Sequence, residues 1–354
     1  MLAAAVFRGV NRTLPTVATR DIARPALLAA GVVALLILDQ LTPLGAIWVF
    51  ALTTLAVGVG AMAWAISIVR RLIQSATPRY RVREWLKYSA PLFLSMVLQN
   101  VTGPSLDVLL LAAYVNSSVV GAYVAAATLV RFGGLFVEAV NYAALPQFTA
   151  VSGQERDDRY RQSRTLTTDL GLPPVIALLV WAEPIVNVTF GPDFSESQLV
   201  LRLLLGGIAT RLLFGPLGQL VLADGRSRVH LVADTVSILV FMVVAFVFVH
   251  PYGAPAVAVA RALAQVGFEI ACYLPSSRLH RIRLVTVPQI RSLAALAFFC
   301  LPFLMASWLA SRYIDERLHD LLSCGLAATF LITAYLRALK LHSIFSLLAP
   351  RARQ

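Results

Sequence analysis

Long runs of Ala, Val, Leu, Ile and Phe alternate along the chain with short clusters of Arg, Asp, Glu, Pro and Gly. A helix needs about 20 mostly apolar residues to cross the roughly 30 Å hydrocarbon core of a bilayer. Ten stretches approach that length, at 24–40, 44–69, 89–112, 117–149, 166–189, 197–223, 229–250, 253–276, 289–311 and 319–338. The pattern therefore predicts an all-α polytopic membrane protein of about ten transmembrane helices.

Two of these stretches carry internal breakers. The fourth is too long for one straight crossing, and Gly133-Gly134 near its middle is a place to bend. Pro173-Pro174 in the fifth does the same more forcefully. Broken helices at membrane depth line cavities in transporters or serve packing, and both readings stand.

Charge then orients the spans, because retained Lys and Arg mark the cytoplasmic side. Arg8, Arg12, Arg20 and Arg24 precede the first span, and Arg70, Arg71, Arg79, Arg81, Arg83 and Lys87 follow the second. Further groups at 156–164, 226–228, 278–291 and 337–353 continue the alternation. Acids such as Asp39, Glu183, Asp193 and Glu196 fill the opposite loops. Both termini are expected to be cytoplasmic, and Trp85, Tyr88, Trp181 and Tyr252 are expected to form interfacial belts.

Composition agrees with lipid as the solvent: 58% of residues are hydrophobic and 14% charged, with a mean hydropathy of +0.76. A formal net charge of +12 spread through short loops fits anionic lipid rather than nucleic acid. Cys272, Cys300 and Cys324 show no metal or disulfide spacing, and the chain has no Walker A or H-E-x-x-H pattern. No catalytic residue, metal or cofactor is expected, and the loops offer no domain for enzymatic chemistry.

The linker RRLIQSATPRYRVREWLKY leads into EWLKYSAPLFLSMVLQN, Asp107 and VVGAYVAAATLVR. Phe190-Gly191-Pro192-Asp193-Phe194, LLLGGIATRLLFGPLGQLVLADGRSRVHLVADTVS and HPYGAPAVAVARAL follow in order. This succession resembles the Wzx-type polysaccharide flippases of the MATE-like superfamily. The resemblance implies a two-lobe helical bundle whose first lobe is truncated by about four helices. Residues 1–73 would be the remnant of that lobe, 74–88 a basic cytoplasmic linker, 89–338 the second lobe and 339–354 a basic amphipathic tail.

Arginines inside spans are costly, about 2.5–3.5 kcal/mol at the midplane even on insertion scales, so they face protein or water. Arg131, Arg211 and Arg261 fall near mid-depth, whereas Arg202 lies close enough to the outer surface to snorkel. Nine residues separate Arg202 from Arg211, which sets them on opposite faces unless Gly206-Gly207 breaks the helix. The functional reading is a cationic pocket of Arg131, Arg211 and Arg261 for the diphosphate of a lipid-linked sugar. The structural reading is ion pairing with Asp107, Glu138 or Glu269, the acids otherwise placed for coupling or gating. Asp169 and Asp234 lie within a turn or so of the inner surface, where water would solvate them.

The expected activity is the flipping of a polyprenyl-diphosphate-linked oligosaccharide across the cell membrane. Membrane lipids and the glycosyltransferases or polymerase of the same pathway would be its partners. A MATE-type multidrug or cation antiporter is the alternative within the same fold, and should favour acids over arginines at the midplane. A truncated, non-transporting paralogue or half-transporter is a further alternative.

Overall fold

The computed structural model describes residues 7, 17–39, 42–73, 82–101, 104–280, 282 and 287–341, and among them thirteen α-helices and no strand. The chain divides into two units, Met1–Arg81 and Val82–Gln354.

The first unit holds α1 (Arg24–Ile37) and α2 (Pro43–Ile73). Pro25 opens α1, where its missing N–H costs nothing. Thr42 precedes Pro43 and its hydroxyl accepts the Gly45 amide at 3.1 Å, which caps α2. Arg70 and Arg71 occupy the last turn of α2, where positive charge complements the helix dipole.

The second unit comprises α3 (Val82–Val101), α4 (Pro104–Tyr114), α5 (Ser117–Thr149), α6 (Gln154–Val180) and α7 (Ala182–Phe190). It continues with α8 (Ser197–Phe214), α9 (Leu217–Ala223), α10 (Ser227–Tyr252), α11 (Ala254–His280), α12 (Val287–Tyr313) and α13 (Glu316–Leu341). Helix α8 lies at the centre, against α5, α6 and α11, while α10 runs along α11 and against α3.

Over their described residues all ten apolar stretches are mainly helical, but not all span equally. Among the described residues seven helices are individually long and apolar enough to cross a bilayer, and α6 with α7 makes an eighth if the bent pair is one span. Helix α1, with 14 residues, reaches only about 21 Å. Helix α3 begins with Arg83, Glu84 and Lys87, and residues 102–103, which join it to α4, lie outside the described residues. Of the linker expected at 74–88, residues 74–81 also lie outside them, and from Val82 the chain is already helix. The tail from 342 onward is outside them as well.

Small residues let the central helices approach. Ala256, Ala260 and Ala264 of α11 recur every fourth residue and are buried, as are Phe241, Ala245 and Val249 of α10. This spacing stacks each set on one face. Leu239, Val243, Phe246 and Val247 point outward and are exposed, as befits a surface solvated by lipid. Gly207 brings α8 against the α11 backbone: a Cβ there would lie 3.3 Å from Ala262 Cα.

The breaks fall elsewhere than the glycine and proline pairs suggest. Helix α5 continues unbroken through Gly133-Gly134, and these glycines are buried where α5 meets α6 and α8. A Cβ at Gly133 would lie 3.0 Å from Leu178 Cδ1. Helix α6 also runs through Pro173-Pro174 and ends at Val180, with a 79° bend into α7. Trp181 at that corner packs inward instead of facing the surroundings: it is 1% exposed and its ring centroid lies 5.8 Å from that of Phe330. Likewise α8 does not break at Gly206-Gly207 but at Gly215, whose φ of +63° favours a residue without a side chain.

That last break frees backbone carbonyls in an apolar interior, where each needs a donor. Thr168 donates to Leu212 O at 3.0 Å, Arg164 Nε to Leu213 O at 2.6 Å, and Tyr160 to Phe214 O at 2.6 Å. Gln289 of α12 adds a second bond to Leu213 O at 2.9 Å. The interruption is thus held by a dedicated polar shell, and it opens space beside α8.

Candidate functional site

A cavity of about 360 Å³ lies beside this break, bounded by α3, α5, α8, α9, α10 and α11. Its wall is polar in an otherwise apolar bundle, and its polar side chains arrive from α3, α5, α8, α9, α10 and α11.

Arg211 enters from the last turn of α8, and its Nη1 meets Glu138 Oε1 of α5 at 2.6 Å. The arginine side chain keeps 21% exposure and the glutamate 62%, so the pair is not sealed within the bundle. Arg261 of α11 is held more tightly. Its Nε donates to Asp107 Oδ2 at 3.0 Å and its Nη2 to Oδ1, a two-pronged pair. Its guanidinium carbon also lies 4.5 Å from the centroid of the Phe241 ring. Asp107 is buried on α4 and accepts Tyr123 OH at 2.7 Å as well.

Glu269 of α11 is 3% exposed. Its Oε1 accepts Gln265 Nε2 at 3.0 Å, and its Oε2 is buried with no hydrogen-bond partner.

The remaining wall was not legible as charge. Asp234 is not solvated: it is 4% exposed, bonded to Ser95 Oγ, to Gln99 Nε2 at 2.9 Å and to His230 Nδ1 at 3.0 Å. Asn141, Gln219 and Gln265 contribute carboxamides, and Phe268 contributes a ring whose edge meets His230. A search for ionised groups passes over carboxamides. The signal that would have found them is an amide side chain in a lipid-soluble helix, which carries its own cost there.

Of the three arginines expected to share a pocket, Arg211 and Arg261 line this cavity and Arg131 does not. Arg131 is exposed on α5, seven residues before Glu138 and on nearly the same face, about 10 Å away along the axis. Both wall arginines are paired with carboxylates, and the wall carries Glu138, Asp234 and Glu269 against two guanidinium groups. The hollow is therefore mixed in charge rather than cationic. Asp107 sits behind Arg261, outside the wall, while Glu138 and Glu269 face the cavity.

Beyond the cavity, His280 at the end of α11 bridges two carboxylates, with Nδ1 2.5 Å from Asp157 and Nε2 2.7 Å from Asp224. Arg156 joins Asp224 at 2.7 Å. Burial alone would raise the Asp224 carboxyl, but the hydrogen bonds and charges of His280 and Arg156 outweigh it and hold it below its usual range. This cluster ties the start of α6, the α9–α10 turn and the end of α11.

Comparison with known proteins places this architecture. Among solved structures, the lipid II flippase MurJ in its inward closed conformation matches with a TM-score of 0.61 at 14% identity, over 96% of this chain and 70% of that chain. The multi-pass helical fold is thus shared with MurJ. The probable low-salt glycan biosynthesis flippase Agl15 of Haloferax volcanii is 24% identical over 162 residues, covering 45% of this chain and 34% of that protein. The chain thus matches about a third of the length of this curated relative. Residues 23–199, half of the chain, match the family model described as "Polysaccharide biosynthesis protein", and the chain belongs to that family.

Proposed function

We propose that the chain moves a polyprenyl-diphosphate-linked oligosaccharide from the inner to the outer leaflet of the cytoplasmic membrane, with its basic loops and both termini on the cytoplasmic side. The observation that carries this reading is a polar, water-reachable cavity within an apolar bundle, with an exchangeable arginine on its wall. Both named relatives are flippases, and the transfer requires no covalent chemistry.

Arg211 is the group that meets the anion, because it leaves one exposed carboxylate for another acceptor at small cost. Surface-exposed ion pairs are worth about 0–1 kcal/mol, whereas a planar guanidinium holds phosphate oxygens bidentately. Arg131, exposed two turns back towards the start of α5 and so nearer the outer face, takes the anion on after Arg211. Arg261 remains with Asp107 and shapes the wall. Glu138, released by the exchange, and Glu269 are the carboxylates placed for coupling or gating.

One observation favours the cation-exporter reading: carboxylates outnumber arginines on the wall. Family membership weighs against it. The full chain reconstituted in vesicles separates the two, with a fluorescent polyprenyl-diphosphate oligosaccharide in one arm and ethidium in the other. Arg211→Ala is expected to slow lipid-linked sugar transfer about tenfold or more, the worth of one charge-assisted hydrogen bond. Arg131→Ala should slow the transfer while leaving the substrate concentration needed for half-maximal rate unchanged. Undiminished transfer in both variants, or ethidium movement without sugar transfer, sinks the proposal.

A further inference from the structure

A second hollow, of about 380 Å³, lies apart from the cavity and shares no lining residue with it. We propose that this hollow, between the start of α3 and the α9–α10 turn, binds the phosphate headgroup of an anionic glycerophospholipid from the surrounding bilayer. It is a site for a resident lipid, not for cargo, and it stands whatever the cavity carries.

Charge is the first observation. Lys87 of α3, Arg226 of the turn and Arg228 of α10 line the hollow, with Glu84 as the one acid on its wall. Arg156, Arg159 and Arg161 of α6 each meet a carboxylate. Lys87, Arg226 and Arg228 meet none among the described residues, and Glu84 has a contact of its own. Three cations thus converge without a counter-ion. A phosphate supplies one, because its oxygens accept from ammonium and guanidinium groups alike. Basic residues at the membrane surface draw anionic lipid in this way.

Shape is the second. Helices α3 and α10 lie against each other, and both start at this end. Leu94 stands seven residues after Lys87, and Val232 and Leu239 stand four and eleven after Arg228. Each is therefore on nearly the same face as its cation, and all three are exposed. Apolar stripes so rise from the charged hollow along both helices, which is where the acyl chains of a lipid seated by its headgroup would run. Free phosphate would use the charges and leave the stripes bare. The volume falls near the lower end of the roughly 300–1,000 Å³ typical of small-ligand sites, room for a phosphoglycerol headgroup.

Position is the third. Tyr88, on the same wall, donates to Leu222 O of α9 at 3.1 Å. Further along α3, Ser95 and Gln99 donate to Asp234 of α10, and Gln99 and Asp234 line the cavity. A phosphate held between Lys87 and the two arginines joins the same helix pair at its charged end. Lipid in the hollow therefore steadies one wall of the cavity.

The test is native mass spectrometry of the full chain in detergent, with phosphatidylglycerol and phosphatidylcholine as ligands and sodium phosphate or undecaprenyl diphosphate as competitor. One phosphatidylglycerol should be retained at least about tenfold more tightly than phosphatidylcholine. Lys87→Gln with Arg228→Gln should weaken it roughly thirtyfold, the worth of two cations near the membrane surface. Arg161→Gln with Arg278→Gln, which removes the same charge elsewhere, should change it less than about threefold. Phosphatidylglycerol should also raise the thermal midpoint of the unaltered chain and of the second double variant, but not of the first. If the first does not purify as a folded protein, Arg226→Gln and the lipid selectivity of the unaltered chain decide the matter. Equal retention of the two lipids, or equal weakening in both double variants, overturns the proposal. Displacement by sodium phosphate at the lipid's own concentration would make this a site for the free ion and overturns the lipid assignment. Displacement by undecaprenyl diphosphate assigns the hollow to cargo, which overturns the resident lipid while supporting the flipping reading. Vesicle transfer assays that fail while phosphatidylglycerol binding persists sink the flipping reading and leave this site standing.

Discussion

The pair between Asp107 and Arg261 predicts an asymmetric double-mutant cycle. The aspartate side chain is 4% exposed and the arginine side chain 32%, with two guanidinium hydrogen bonds between them. Breaking a buried pair by removing one partner costs about 3–5 kcal/mol, mostly through the charge left behind. Asp107→Leu leaves a guanidinium that cavity water partly reaches and that still lies over Phe241, so its cost should fall near 3 kcal/mol. Arg261→Met leaves a sealed carboxylate with only Tyr123 as donor, and should cost nearer 5 kcal/mol. The double variant removes both charges. What remains is the orphaned Tyr123 hydroxyl, about 1–3 kcal/mol, so the double should be more stable than the arginine variant alone. Denaturant unfolding of the purified full chain, read by tryptophan fluorescence, measures all three. A double variant that costs the sum of the singles would refute the argument, because it would mean that the two groups do not depend on each other.

Two further outcomes follow from backbone geometry and charge outside the cavity. Gly215→Ala should lower the thermal midpoint well beyond Gly225→Ala: both have positive φ, but only at Gly215 would the new Cβ lie 2.8 Å from Arg164 Cα. Similar midpoints in thermal unfolding would show that the break is not held as described. Asp224→Asn should destabilise the chain at neutral pH. The Asp224 carboxyl is lowered from its ordinary 3.8, so its contribution is fully present above that value and is lost as pH falls through the lower folded one. The stability gap between the unaltered chain and the variant should persist from pH 7 to about pH 4 and close only in stronger acid; a gap that already closes between pH 7 and pH 5 would exclude this sign.

Much of the fold was legible because lipid imposes a length and a polarity on each crossing. The described residues of the ten apolar stretches are mainly helical, and helix boundaries follow charges and caps such as Thr42-Pro43. The breaks were less legible. A proline pair can sit within a helix when a neighbour takes a carbonyl it frees, as Tyr335 OH does for Leu170 O of α6 at 3.1 Å, and a glycine pair can serve close approach rather than bending, as in α5. Gly215 differs because donors from α6 and α12 wait at the three carbonyls it frees. No local sequence signal announces donors that come from 44 to 77 residues away.

The site illustrates a more general physical point. Depth along a span singles out Arg211 and Arg261, because an arginine at mid-bundle must face protein or water, and both line the cavity. Depth could not give the sign of the cavity they face, which depends on partners from other helices. Glu138 and Asp107, 73 and 154 positions away in the chain, neutralise the two guanidinium groups. Exposure then separates two residues of the same type. Arg211 has one partner, itself largely open to water, and can exchange it for a passing anion. Arg261 is held by a two-pronged bond to a buried aspartate and by an aromatic ring, and exchanging them would strand a charge. Arginines in a membrane cavity are therefore better ranked by what each would leave behind than by how near the midplane it sits, and on that ranking Arg211 moves while Arg261 holds the wall.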